Sequence, residues 1–188
     1  NVSGADADDD VTLDAVATGY TTVSATGLKG DLIIGAAARG SAAMTITGGS
    51  GADSIAMESA NDVLDGGSGS DTLVISGSFG TGGVTVDLSS ATDQISTFNG
   101  ASNGAVQKNF ESVDLSAYTQ SSSVGSTITG STGNNTLTGS AYNDVIIANG
   151  GTDTINGGDG ADTVEVVAGD TSTVNGDGGN DTITVSGG

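Results

Sequence analysis

Apolar residues fall along this chain one at a time and at a fixed step. Ile55, Leu64 and Leu73 are nine residues apart, and Leu137, Ile146, Ile155 and Val164 keep the same step. Their neighbours are often small and polar, as in Thr127-Ile128-Thr129 and Thr163-Val164-Glu165. One inward side chain between two outward ones predicts a strand about three residues long. Two positions before each apolar residue stands an acid or its amide. The first series has Asp53, Asp62 and Asp71; the second has Asn135, Asp144, Asp153 and Asp162. No long segment shows a helical period with caps, so helix is expected to be minor.

Glycine completes the unit. Gly48-Gly49-Ser50-Gly51-Ala52-Asp53-Ser54-Ile55-Ala56 is one copy, and Gly66-Gly67-Ser68-Gly69-Ser70-Asp71-Thr72-Leu73-Val74 follows two units later. Between them only Asp62 and Leu64 survive of the pattern. A second array has units starting at Gly130, Gly139, Ala148 and Gly157. A degenerate stretch, 166–175, precedes a last unit that starts at Gly176 and carries Asp181 and Ile183. Two units make one coil, with a turn on each side. Such coils stack at the strand spacing, about 4.8 Å.

Outside these arrays the pattern weakens. Residues 1–47 read as degenerate N-terminal coils, with strands around Val11, Leu13, Val23, Ile33 and Ile46. Their acidic cluster, Asp6, Asp8, Asp9 and Asp10, reads either as a calcium site, at a coil end or between molecules, or as a solvated, self-repelling loop. Residues 48–76 form the first block and 130–188 the second. The insert between them, 77–129, holds an alternating strand at 84–88, a Gly/Asn/Ser loop at 99–108, and Phe110 and Tyr118 as plugs for the interrupted core.

Composition sharpens this picture. Three basic residues face 23 acidic ones, for a formal net charge of −20. Only Glu58, Glu111 and Glu165 among the acids are Glu; all the others are Asp. That excess, beside 33 Gly, points to turns and oxygen ligands rather than generic acidity. There is no Cys and no His, so disulfides, thiolate zinc sites and imidazole catalysis are excluded. The charge disfavours nucleic acid and anionic membranes. No apolar run approaches the roughly 20 residues a transmembrane helix needs. Leu, Ile, Val and Phe together make up about a fifth of the chain, close to the level below which a highly charged chain stays disordered. Something beyond hydrophobic burial is expected to help this chain fold.

The unit Gly-Gly-x-Gly-x-Asp-x-apolar-x is the pattern of calcium-binding parallel β-helix repeats, and the chain resembles the RTX family of secreted bacterial proteins. The match is strict at 48–53, 66–71 and 157–162, close at 176–181, and looser at 139–144, where Tyr142 replaces a Gly, and at 148–153. The expected fold is all-β: a right-handed parallel β-roll, or β-solenoid, with two RTX blocks separated by an irregular insert. Several Ca²⁺ ions are expected in its turns. Candidate ligands are the side chains of Asp53, Asp62, Asp71, Asn135, Asp144, Asp153, Asp162 and Asp181. Turn backbone at Gly49, Gly51, Gly67, Gly69, Gly158, Gly160 and Gly179 would add carbonyl oxygens, since hard oxygens suit Ca²⁺. The two-unit step pairs Asp53 with Asp71, Asp144 with Asp162, and Asn135 with Asp153. Asp162 and Asp181 are one position further apart than these, so an extra residue must bulge out between them. The alternative for each Asp is a turn-former that bonds its own loop.

The resemblance implies a secreted, extracellular or cell-surface protein exported by type I secretion, in which folding and calcium binding are one event. The favoured reading is a structural module of a surface layer, filament or adhesin. Its expected partners are further copies of itself in a calcium-dependent layer or filament, and a cell-surface glycan or lipopolysaccharide. A second reading is the C-terminal RTX secretion and folding module of a secreted hydrolase or toxin. A third is an ice-binding face, suggested by Thr45-Ile46-Thr47, Thr127-Ile128-Thr129 and Thr182-Ile183-Thr184, although such ranks do not recur in every coil. An enzyme is not expected, because each prominent Asp is explained as a ligand or a turn residue.

Overall fold

The computed structural model describes residues 9–14, 16, 19–35 and 42–187. Asp6 and Asp8 of the N-terminal acidic cluster lie outside them. Among the described residues there is no helix; the chain is a stack of short, mostly parallel strands, a β-solenoid. One face is a single eight-stranded sheet. It runs from Val11–Leu13 through Leu32–Ile34, Ser54–Met57, Thr72–Ile75, Ser112–Asp114, Thr136–Thr138 and Thr154–Asn156 to Thr173–Asn175.

The register explains the nine-residue period. Ile55 lies beside Leu73, Leu137 beside Ile155, and Ile146 beside Val164, each pair two units apart. Alternate units therefore occupy opposite faces, and every eighth position points into the same narrow interior. Ile55, Leu64, Leu73, Leu137, Ile146, Ile155 and Val164 are all fully buried. Each such side chain contributes roughly 1.5–3 kcal/mol of transfer free energy. In the last coil the step is one residue longer on both faces, from Ile155 to Val174 and from Val164 to Ile183. The extra residue falls in the connection after Thr163–Val167, which takes the place of a repeat turn.

The opposite face is divided. A four-stranded sheet holds Thr22–Ser24, Thr45–Thr47, Val63–Asp65 and Gln107–Lys108. A seven-stranded sheet holds Thr85–Asp87, Thr127–Thr129, Val145–Ile147, Thr163–Val167 and Thr182–Ser186, with the antiparallel strands Ile95–Phe98 and Ala101–Ser102 at its other edge. The chain thus leaves the first block and lays Thr85–Asp87 against Thr127–Thr129 of the second. It makes a hairpin, then returns to pair Gln107–Lys108 with Val63–Asp65 and Ser112–Asp114 with Thr72–Ile75.

Polar side chains knit the seam between the two sheets. Buried Gln94 donates to the Phe110 carbonyl (2.9 Å) and accepts from the Phe110 N–H (3.0 Å). Its own N–H donates to the Gln107 carbonyl (2.6 Å). Phe110 and Tyr118 are buried in the core beside this seam. Tyr118 stacks on Phe79 with ring centroids 5.9 Å apart and donates its hydroxyl to the Gly82 carbonyl (2.5 Å).

Candidate metal centres in the turns

Each turn ends on the residue two before the buried apolar position, and that residue joins a ladder along the edge of the roll. The Asp53 N–H donates to Asp71 Oδ1 (2.8 Å), and the Asp71 N–H to Glu111 Oε2 (2.8 Å). Further up the same edge, the Asn135 N–H donates to Asp153 Oδ1 (2.8 Å), and the Asp153 N–H to Ser172 Oγ (3.0 Å). On the other edge, the Ser126 N–H donates to Asp144 Oδ1 (2.5 Å), the Asp144 N–H to Asp162 Oδ1 (2.7 Å) and the Asp162 N–H to Asp181 Oδ1 (3.1 Å). The structure therefore stacks all four residue pairs that the repeat spacing relates. Asp53, Asp71, Asp144, Asp153 and Asp162 are each only 1% exposed.

What the second carboxylate oxygen does divides the turns into two kinds. In some, the second residue of the unit folds its N–H onto the turn's own side chain. Gly49 bonds Asp53 Oδ2 (2.6 Å), Glu58 bonds Asp62 Oδ2 (3.0 Å), Ser131 bonds Asn135 Oδ1 (2.6 Å) and Ser140 bonds Asp144 Oδ2 (2.6 Å). These are closed turns, in which the side chain caps its own loop. Asp62 is capped further by the Ser59 N–H (2.9 Å) and by Met44 of the neighbouring coil (2.9 Å). In the other kind the second residue is left-handed: Gly67 (φ 103°), Asn149 (φ 66°), Gly158 (φ 99°) and Asp177 (φ 63°). Its N–H then turns away, and the turn is open. Asp71 Oδ2 and Asp162 Oδ2, both in open turns, are buried without any hydrogen-bond partner.

Open turns also press their glycines against the coil before them. A Cβ on Gly69 would overlap the Gly51 carbonyl oxygen, and one on Gly179 the Gly160 carbonyl oxygen. Both glycines are left-handed, with φ of 145° and 133°. Glycine at these positions lets the backbone of one turn lie directly against the carbonyl of the turn before it.

The electrostatics leave the same two groups most perturbed. Burial pushes Asp71 up to about 7, and Asp53, Glu111 and Asp65 push in the same direction against the Asp53 N–H bond. Burial likewise raises Asp162 to about 6, helped by Asp144, Asp181 and Asp177. Asp53, Asp144 and Asp153 are also raised, chiefly by burial. Buried carboxylate oxygens without donors, facing other carboxylates, want a cation.

Among the described residues no group of three or more His, Cys, Asp or Glu side chains could by itself hold a metal ion. An ion in an open turn would instead take two carboxylates from stacked coils and fill its shell with backbone carbonyls. That all-oxygen donor set fits Ca²⁺, which accepts about six to eight such ligands in flexible geometry, and the unpartnered Oδ2 atoms of Asp71 and Asp162 supply the vacant donors. The turns ending at Asp153 and Asp181 are open as well.

Three side chains at these edges were not singled out by the repeat pattern. Glu111 and Ser172 hold ladder positions in coils that have lost the glycines. Each stands two residues before a strand's central Val, Val113 or Val174, so the acid-to-apolar spacing was the available signal for Glu111. The third, Asp170, has its Oδ2 buried without a partner and pushes on Asp153.

A family model for the RTX calcium-binding nonapeptide repeat matches the chain in four copies, over residues 45–73 and 129–164. No curated protein and no solved structure matches. The chain carries RTX repeats, and repeats of this kind bind Ca²⁺. The strict turns 66–71 and 157–162 of the sequence lie within the matched residues and are the two whose Asp oxygens lack partners.

Proposed function

We propose that these RTX repeats make the chain a calcium-dependent structural module of a secreted bacterial cell-surface protein, of the layer, filament or adhesin type. The observation that carries the reading is the pair of buried, unpartnered carboxylate oxygens at Asp71 and Asp162, one in each block. Without a cation they oppose the coil stacking that buries them; with Ca²⁺ they favour it. The chain then orders where calcium is plentiful, at the roughly 10⁻⁴–10⁻³ M that extracellular modules sense, and stays loose where it is scarce.

The threonine rows favour an ice-binding face less, because Val145 and Ile147 stand between Thr127/Thr129 and Thr163/Glu165 in the same sheet.

The test is far-UV circular dichroism with light scattering and negative-stain microscopy, each in chelator and in about millimolar calcium. The expected result is a gain of β signal with calcium and ordered sheets or filaments that vanish in chelator. A full β signal in chelator, unchanged by calcium, refutes the calcium dependence. A strictly monomeric folded roll at every concentration refutes the assembly role.

A further inference from the structure

The open turn 66–71 has no repeat unit stacked on its outer side. Two repeat lengths beyond Asp71 the sequence offers Ser89, and the chain there has already crossed to the other block. The coil that covers this turn is built from the returning segment, and its residues reproduce the contacts of a repeat.

Asn109 is left-handed (φ 59°), like the second residue of an open turn. Its carbonyl oxygen lies where a Cβ on Gly66 would sit, so Gly66 allows the segment to approach. Its side chain donates to Asp65 Oδ1 (2.7 Å), and Lys108 pairs with Asp65 Oδ2 (3.2 Å), which engages the one cation of this segment. The Glu111 and Ser112 N–H groups both donate to the Asp71 carbonyl (3.0 and 2.9 Å). Glu111 Oε2 then accepts the Asp71 N–H, the bond that Asp71 Oδ1 accepts from Asp53 one coil earlier. The residue whose N–H Glu111 thus takes is the one whose Oδ2 is buried and without a partner.

We propose that Glu111 is a calcium ligand, and that with Asp71 and the carbonyls of the turn 66–71 it forms a metal position tying the first repeat block to the segment that returns to it. The longer Glu side chain replaces the Asp of a repeat because the segment reaches the turn without the Gly-rich approach. This proposal rests on the calcium-binding reading above and extends it to a residue far from its partner in sequence.

The discriminating variant is Glu111→Gln, which keeps an acceptor for the Asp71 N–H and removes only the charge. Titration calorimetry counts calcium on the full chain, wild type beside variant. The expected result is one ion fewer, or one site weakened by about tenfold or more, since ligand charge sets calcium affinity. The remaining sites and the circular dichroism at saturating calcium are expected to be unchanged. Equal stoichiometry and equal affinities overturn the proposal and leave the calcium reading intact. A wild type that takes up no calcium refutes both. Should the variant fail to fold, terbium-soaked wild-type crystals decide. An anomalous peak within reach of both Asp71 and Glu111 supports the site; peaks at other turns with none here overturn it.

Discussion

Calcium should reverse the sign of the pH dependence of stability. In the calcium-free fold Asp71 is raised to about 7 and Asp162 to about 6, from an ordinary value of 3.8. The folded chain therefore holds protons that the unfolded chain releases. The stabilisation this gives is complete below about pH 4 and is lost as pH rises through about 6 to 7. At about 1.36 kcal/mol per pH unit, the full effect would be about 4 kcal/mol at Asp71 and about 3 at Asp162. Between about pH 5 and pH 7.5 roughly two pH units of this fall at Asp71 and one at Asp162, about 4 kcal/mol, of which roughly half, about 2 kcal/mol, is expected after screening. With a urea slope of about 2 kcal/mol per M, the midpoint in calcium-stripped buffer should fall by about 1 M over this interval.

Saturating calcium needs the same oxygens deprotonated, so there the midpoint should rise over this interval. General relief of the −20 charge by acid acts in the same direction as the calcium-free effect. The double variant Asp71→Asn, Asp162→Asn separates the two, because its side chains cannot titrate. Most of the calcium-free slope should disappear in it. The assay is urea unfolding followed by circular dichroism at both pH values, with and without calcium. The same sign of slope in both conditions, or an unchanged slope in the double variant, refutes the reasoning.

Other outcomes follow from single contacts. Gly69→Ala should destabilise the calcium-loaded fold by about 3 kcal/mol or more, since its Cβ meets a backbone carbonyl at a left-handed position, whereas Gly104→Ala, with open space around it, should change the melting midpoint little. Ile155→Ala opens a cavity in a core one side chain wide and should cost about 2–5 kcal/mol by urea unfolding. Tyr118→Phe leaves the Gly82 carbonyl without its donor and should cost about 1–3 kcal/mol, while Phe79→Leu in the same stack should mainly lose ring packing, about 1 kcal/mol.

The stack of coils was legible because the repeat writes its geometry into spacing. Asp71 and Leu73, or Asp162 and Val164, announce a turn and an inward strand residue wherever they recur. The all-β solenoid and the stacking of Asp53 on Asp71 follow from that alone. The state of each turn does not. The units 48–56 and 66–74 carry the same Gly-Gly-Ser-Gly opening, yet Gly49 caps Asp53 while Gly67 leaves Asp71 uncapped. The bonds to the coil beneath do not distinguish them: Ser50 and Ser68 each donate to a carbonyl there, of Leu28 and Gly49, and Asp53 Oδ1 and Asp71 Oδ1 each accept an N–H from it, of Leu32 and Asp53. What differs is the backbone at the second residue, left-handed at Gly67 and not at Gly49. The insert was equally opaque, because Val113 pairs with Leu73 and Val86 with Ile128, each across several repeat lengths of intervening chain. Periodicity measures local steps and is blind to a chain that departs and returns.

That departure and return make the two blocks something other than beads on a linker. The first half of the molecule contributes Thr85–Asp87 to the sheet of the second, and the second half contributes Gln107–Lys108 and Ser112–Asp114 to the sheets of the first. The crossing point is the hairpin whose exposed tip includes Ala101 and Ser102. A protease that cuts there severs the covalent chain and frees neither half. Each fragment still has a strand paired along one side with a strand of its counterpart, as in a clasp, and the halves part only when those pairings are lost.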